Sequence, residues 1–473
     1  MKRTLFSILI IALIILSGCN GRDTESGISE EIFNRYAGRW EGSLSIQGTE
    51  LPIVFNIGKN TEGSVEVTMD SPMQNAFNIP AEFSINKDSI TIEIDKIAME
   101  FKGRLIKSNE IAGTFSQSGM EAVLALVKTE GPDPHYQNPA EPLPYKTEDV
   151  VILNPEDSIE IGATVTIPQG EPPFPAVVMV SGSGQQDRDE TVFGHKPFLV
   201  LSDYLTREGI MTIRYDDRGI GETGGNPEPC TSEDFTRDAY SVYKYLLERD
   251  ESDNSLTGLA GHSEGGMISQ MLAAEYKDID FIVLMAAPGI TGGEIIMMQS
   301  EAINTASGLD KEAVEEASRF QQRIIDAVRD IEEPDQIKAE IRSIMEEYRS
   351  KMPPEQQAQL TDNTINAQVE AAASNWYRYF VKFDPADYLR DIDCAVLAVN
   401  GGRDLQVPAE ENLMRIGRIL EENGNNKVTT KLFDNVNHLF QTAETGLTDE
   451  YYTLNETINP AVMKYIAQWI NDL

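Results

Sequence analysis

Six short strand-like segments, several of them wholly apolar, separated by stretches of helical periodicity, constrain this chain more than any other feature. They are Ala176 to Val180, Met211 to Tyr215, Leu256 to Ala260, Phe281 to Ala286, Ala395 to Val399 and Val428 to Phe433. Runs without polar alternation must be buried on both faces, as a strand inside a parallel sheet is. Helical spacing marks Phe198 to Arg207, Ser232 to Glu248, Ser263 to Tyr276, Ala409 to Asn423 and Ala461 to Ile470. Val150 to Leu153 and Ile159 to Ile167 read as an opening antiparallel pair. The succession predicts a mostly parallel sheet with helices on both faces, spanning 148–473. From Gly289 to about Tyr388 the alternation stops and the chain is helical and highly charged. A helical block between two strands of such a sheet sits over the strand ends, so a lid is expected at about 290–388.

The first third reads differently. Between Tyr36 and Lys128, short segments such as Leu51 to Ile57, Ser64 to Met69, Ser89 to Ile94 and Ala122 to Val127 are broken by turn residues. This predicts a small antiparallel barrel or sandwich over 31–128. A proline-rich stretch, from Gly131-Pro132-Asp133-Pro134 to Pro142-Leu143-Pro144, reads as a connector over 129–147. Ahead of all this, Lys2 and Arg3 precede an apolar run from Leu5 to Leu16. That run falls short of the about 20 residues of a spanning helix and fits an export signal over 1–18. Leu16-Ser17-Gly18-Cys19 is similar to the lipobox of bacterial lipoproteins. That likeness implies a lipidated Cys19, a tether over 19–30 and an exported protein held on a membrane of the cell envelope.

The formal net charge is −38, from 39 basic and 77 acidic side chains. Such a surface repels phosphate backbones, so no nucleic-acid partner is expected. Besides Cys19, only Cys230 and Cys394 are present; Cys394 opens an apolar run and reads as buried, and Cys230 sits in a loop. No Cys or His cluster has metal-ligand spacing, and neither metal nor cofactor is expected.

One motif carries chemistry. Gly261-His262-Ser263-Glu264-Gly265 matches G-x-S-x-G between an apolar strand and a helix. There the central serine is forced into a strained turn, and the flanking glycines relieve the clashes of a Cβ. Ser263 is the expected nucleophile. A serine needs a base, and the chain has four histidines. His262 adjoins the nucleophile and is expected beneath the turn; His135 lies in the connector; His195 is too close to the loop after the Ala176 to Val180 run. His438, just past the Val428 to Phe433 run, remains. The orienting acid should end a strand between nucleophile and base. Asp404 does so. Asp393 precedes that strand and Asp434 lies close to His438 in sequence, so both are weaker competitors. The oxyanion donors are expected to be the backbone N–H of Glu264 and, from Ser181-Gly182-Ser183-Gly184, that of Ser183. Gln185-Gln186-Asp187 breaks a dinucleotide fingerprint there, and no P-loop lysine follows. Asp216 and Arg218 are expected to brace their turn, and Trp376-Tyr377-Arg378-Tyr379-Phe380 to pack in a core rather than line an acyl pocket.

Together these segments resemble the EstD-type esterases, a branch of the α/β-hydrolases often called serine aminopeptidase-like. The likeness runs from the connector to the C-terminus. It rests on Ser181-Gly182-Ser183-Gly184-Gln185-Gln186-Asp187-Arg188-Asp189, on His195-Lys196-Pro197-Phe198, on Arg214-Tyr215-Asp216-Asp217-Arg218-Gly219, and on the elbow. It implies an α/β-hydrolase fold with a helical lid, and hydrolysis of short-acyl carboxylic esters, a small-molecule substrate, through an acyl-enzyme. An aminopeptidase or amidase with the same triad is the alternative enzyme. A binding lipoprotein that keeps the fold without catalysis is the alternative of another class.

Overall fold

The computed structural model describes residues 30–46, 49–60, 63–74, 76–86, 88–117, 120–131, 136–357 and 360–473. The signal segment, Cys19 and His135 lie outside the described residues. No helix among the described residues is long and apolar enough to cross a membrane.

The N-terminal β region is a closed barrel rather than a sandwich. Its strands are β1 Gly38–Ile46, β2 Thr49–Lys59, β3 Val65–Ser71, β4 Ala76–Asn86, β5 Ser89–Ile94, β6 Met99–Lys107, β7 Glu110–Gln117 and β8 Met120–Thr129. Each pairs with the next, and β1 closes on β8 through Arg39↔Thr129 and Glu41↔Val127. Closure removes both exposed edges of the sheet. Inside, Trp40, Phe55, Phe101 and Phe115 are buried, with Phe55 and Phe101 stacked at 5.4 Å. A helix at Glu30–Tyr36, which the strand pattern does not announce, adds Phe33 and Tyr36 to this core. Its end is fixed by Trp40, whose Nε1–H donates to the Tyr36 carbonyl at 2.6 Å.

The rest is built on one eight-stranded sheet. Its strands are β9 Lys146–Asn154, β10 Ile159–Ile167, β11 Phe174–Val180, β12 Met211–Tyr215, β13 Ser252–His262, β14 Phe281–Met285, β15 Ala395–Gly401 and β16 Val428–Phe433. The order is β16-β15-β14-β13-β11-β12-β10-β9. From β12 to β16 the pairings are parallel, while β10 runs antiparallel to both β12 and β9. Alternation along each strand sorts the apolar side chains onto two faces. On one, Val178, Leu259 and Val396 pack against Ile268 and Leu272 of helix Glu264–Glu275 and Ile416 of helix Ala409–Glu422. On the other, Val177, Met179 and Val283 pack against helices Pro197–Arg207 and Pro460–Asn471. This is the α/β-hydrolase architecture.

Between β14 and β15 the chain runs through helices from Gly292–Ala306 to Ala386–Leu389. This insertion has its own core, with Phe320, Ile324, Ile341 and Ile344 buried. A second contact presses Phe383 onto Met267 and Met271 of the helix that follows Ser263. The insertion is thereby seated over the C-terminal edge of the sheet, where β13 and β15 deliver their loops.

Candidate active site

Ser263 sits where β13 turns into helix Glu264–Glu275, with φ 53° and ψ −116°. A non-glycine residue in the left-handed region is strained, and such strain persists only where the surroundings hold it. Here the Ser263 N–H donates to the Met285 carbonyl at 2.8 Å. Glycine at 265 lets the turn close, since a Cβ there would stand 2.0 Å from the Val180 carbonyl oxygen. The serine is therefore held at the first turn of a helix, where free N–H groups and the helix dipole favour negative charge.

Asp404 and His438 meet across two loops. His438 Nδ1 lies 2.8 Å from Asp404 Oδ2, and both side chains are almost wholly buried. The other oxygen, Asp404 Oδ1, accepts the N–H groups of Gln406 at 2.8 Å and Val407 at 2.9 Å. An acceptor-only carboxylate bonded on both oxygens keeps the proton of His438 on Nδ1, which leaves Nε2 as a base. Asn437 shapes the histidine loop, its Oδ1 taking the N–H groups of Leu439 and Gln441 at 3.0 Å. Neither competing acid takes this place at His438 Nδ1. Among the described residues no hydrogen bond joins the Ser263 hydroxyl to His438. Such bonds commonly tighten only when substrate is bound.

The loop after β11 lies directly over the nucleophile: a Cβ on Gly182 would be 3.4 Å from the Ser263 Cβ. The Gly182 N–H is committed to Glu190 Oε1 at 2.7 Å. Ser183 N–H carries no such bond among the described residues, and Glu264 N–H stands at the first position of its helix.

The remaining histidines have structural ties. His195 is fully buried, with Nδ1 2.9 Å from Thr457 Oγ1 and Nε2 3.1 Å from the Tyr451 carbonyl. His262 is buried beneath the turn, its ring centre 4.8 Å from that of His438. Asp216 and Arg218 do brace the loop, each through a different partner. Asp216 pairs with Arg188 at 2.6 Å, and Arg218 with Asp238 and Asp157. Cys230 and Cys394 are buried free thiols.

Three carboxyls around the nucleophile, two buried and one half-buried, give no sequence signal. Glu190 is one. Asp217 accepts the Ser181 hydroxyl and the Gln186 N–H, each at 2.9 Å, and burial pushes its pKa well above the ordinary carboxyl value. Glu264, likewise raised by burial, accepts the Ser232 hydroxyl at 2.5 Å and the Trp376 Nε1–H at 2.8 Å. Trp376 therefore does more than pack in a core, since it ties the insertion to the elbow. A lone acid in a chain with 25% charged residues carries no pattern, so only the fold could gather these three.

Residues 157–439 match the X-Pro dipeptidyl-peptidase (S15 family), a span that includes Ser263, Asp404 and His438. The chain belongs to the S15 family. This S15 chain is also 25% identical over 393 residues to esterase EstD of Thermotoga maritima, covering 83% of this chain and 81% of that protein. An uncharacterized 31.7 kDa protein of Escherichia coli is 23% identical over 257 residues, 53% of this chain and 80% of its own. Among solved structures, an esterase of Pyrococcus furiosus aligns at 14% identity over 70% of the S15 chain and 92% of its own, with a TM-score of 0.42.

Proposed function

We propose that the chain is a serine hydrolase that cleaves short-acyl carboxylic esters through an acyl-enzyme on Ser263. The observation that carries this is the buried 2.8 Å pair between His438 and Asp404, together with a serine held in a strained strand–helix elbow. In this reading His438 Nε2 takes the Ser263 proton as Oγ attacks the ester carbonyl. Asp404 fixes the tautomer and stabilises the imidazolium, without taking the proton itself. The tetrahedral oxyanion receives the N–H groups of Ser183 and Glu264. Collapse expels the alcohol, which His438 protonates, and water then repeats the sequence on the acyl-enzyme. The commitment of Gly182 N–H to Glu190 supports Ser183 as the second donor. Likeness to an esterase over four fifths of each chain supports the ester as the bond cleaved. Replacing Ser263 by Ala should lower kcat on p-nitrophenyl acetate by on the order of 10⁴–10⁶. Turnover near the wild-type rate would overturn the reading.

Family membership favours a second reading, a peptidase that takes a substrate ammonium beside the nucleophile. Asp217 and Glu264 are the acids in place for it. Burial, however, favours their neutral forms, and both already accept protein donors, which weakens them as ammonium ligands. Comparing turnover of an X-Pro p-nitroanilide with that of p-nitrophenyl acetate separates the two readings.

We also propose that the protein is exported and lipid-anchored through Cys19, on the strength of the signal-like start and lipobox. In a bacterial host, radiolabelled palmitate should enter the wild-type protein and be absent from Cys19→Ser. Label retained in that variant contradicts the anchor.

A further inference from the structure

Glu190 is buried in the loop between β11 and helix Pro197–Arg207, and its backbone is left-handed at φ 53°. The loop around it is fastened from within. Glu190 N–H donates to the Asp187 carbonyl at 2.8 Å, and the Asp187 carboxylate accepts Asp189 N–H, Thr191 N–H and the Thr191 hydroxyl. A strained residue held this firmly points to a role for its side chain.

That side chain joins three segments. Its Oε1 accepts the Gly182 N–H at 2.7 Å and faces His262 Nδ1 at 2.8 Å. On its far side the His262 ring reaches the His438 backbone carbonyl, with Nε2 3.0 Å from the oxygen. A carbonyl only accepts, so Nε2 carries a proton. Where the carboxyl is ionised, Oε1 also only accepts, so Nδ1 carries a proton as well and the ring is an imidazolium. Burial, the largest single influence, pushes the pKa of this ring down, but the Glu190 carboxylate, the His438 carbonyl and Asp404 together outweigh it, and the ring ends above the ordinary histidine value. The titratable groups that face His262 are Glu190 from its own loop, Asp404 from the loop after β15 and His438 from the loop after β16. The Glu190 charge in turn adds to the raised pKa of Asp217, which burial mainly causes.

We propose that Glu190 is a positioning residue for the hydrolytic reaction, fastening the oxyanion loop through Gly182 and the loop of the catalytic base through His262. The proposal rests on the serine-hydrolase reading above. One carboxyl then sets the registration of two parts that must both lie over Ser263. Misplacing either by about an ångström costs on the order of a hundredfold in rate. In Glu190→Gln a single amide cannot reproduce the arrangement. Without the carboxylate His262 falls neutral and keeps its proton on Nε2, so Nδ1 now requires a donor. The amide that turns its NH2 toward Nδ1 presents no acceptor to Gly182 at that atom.

The test begins with fluorophosphonate labelling of the wild-type protein. Labelling at Ser263 establishes the nucleophile independently of Glu190; its absence overturns the serine-hydrolase reading and this proposal with it. Given labelling, Glu190→Gln should lower kcat for p-nitrophenyl acetate by roughly tenfold to a hundredfold with KM within about twofold. Its alkaline limb should also move to lower pH, because an imidazolium stabilised by the carboxylate is lost sooner without it. His262→Asn keeps a donor for Glu190 and loses the reach to His438, and should lower kcat without removing the labelling. For a variant that does not fold, the wild-type protein decides. With ¹⁵N-labelled histidine, the His262 ring should carry protons on both nitrogens above the ordinary histidine pKa. Variants that keep wild-type kcat and pH profile, or a His262 ring that titrates as an ordinary exposed histidine, overturn the proposal.

Discussion

At the scale of single residues, the candidate site divides into groups that a motif announces and groups that only the fold assembles. Asp217 belongs to the second kind and yields a sharp expectation. Its folded-state pKa is raised by burial, so between the unfolded and folded values the native state binds the extra proton. Stability therefore falls as pH rises through that window, the reverse of a salt-bridged acid. In Asp217→Asn the amide oxygen can accept Gln186 N–H while its NH2 donates to the Ser181 hydroxyl, so both contacts survive without a charge. The variant should melt higher than wild type at pH 8, and the gap should close toward pH 4. A gap independent of pH would contradict the assignment. Ser263 and His438 stood out in the sequence because a G-x-S-x-G turn has a steric requirement and because only four histidines compete. Glu190 offered nothing comparable. Its role depends on a distance of 2.8 Å to a ring 72 positions away in the chain.

At the scale of elements, the buried strands were legible almost to the residue. Met211–Tyr215 and Phe281–Met285 coincide with their strand segments to within a residue, and helix Ser232–Leu247 with its periodic stretch. Strand β13 begins earlier than its apolar run suggests, because Ser252 to Ser255 are polar yet continue the ladder's extended backbone. How the insertion seats on the sheet was not legible, since it depends on Trp376 reaching Glu264. In Trp376→Phe the ring can keep its stack on Phe380, now 5.5 Å between centres, while the donor to the Glu264 carboxyl is lost. Leaving a buried carboxyl oxygen short of one donor costs about 1–3 kcal/mol. The same acid carries the N–H proposed for the oxyanion, so kcat should fall about tenfold with the circular dichroism spectrum unchanged. An unchanged kcat would mean that the insertion docks without influence on the elbow.

At the scale of the whole molecule, the barrel and the sheet keep separate cores. The connector is pinned to the hydrolase part by Gln137, which donates to the Ile458 carbonyl at 2.8 Å and accepts its N–H at 3.1 Å. A lesion inside the barrel should therefore stay there. Trp40→Ala removes the largest fully buried side chain of that core and should destabilise the barrel by about 3–5 kcal/mol. Its calorimetric trace should show a low-temperature transition absent from wild type, with ester turnover within about twofold. Loss of turnover at temperatures where only the barrel has melted would show that the barrel supports the site. The central claim is the covalent role of Ser263, and the most direct measurement is the mass of the intact protein quenched in acid during turnover of an ester with a slow-leaving acyl group. The account predicts one added acyl mass, mapped to the peptide holding Ser263 and absent from Ser263→Ala. Steady turnover with no added mass, or an acyl group mapped to another residue, would contradict it.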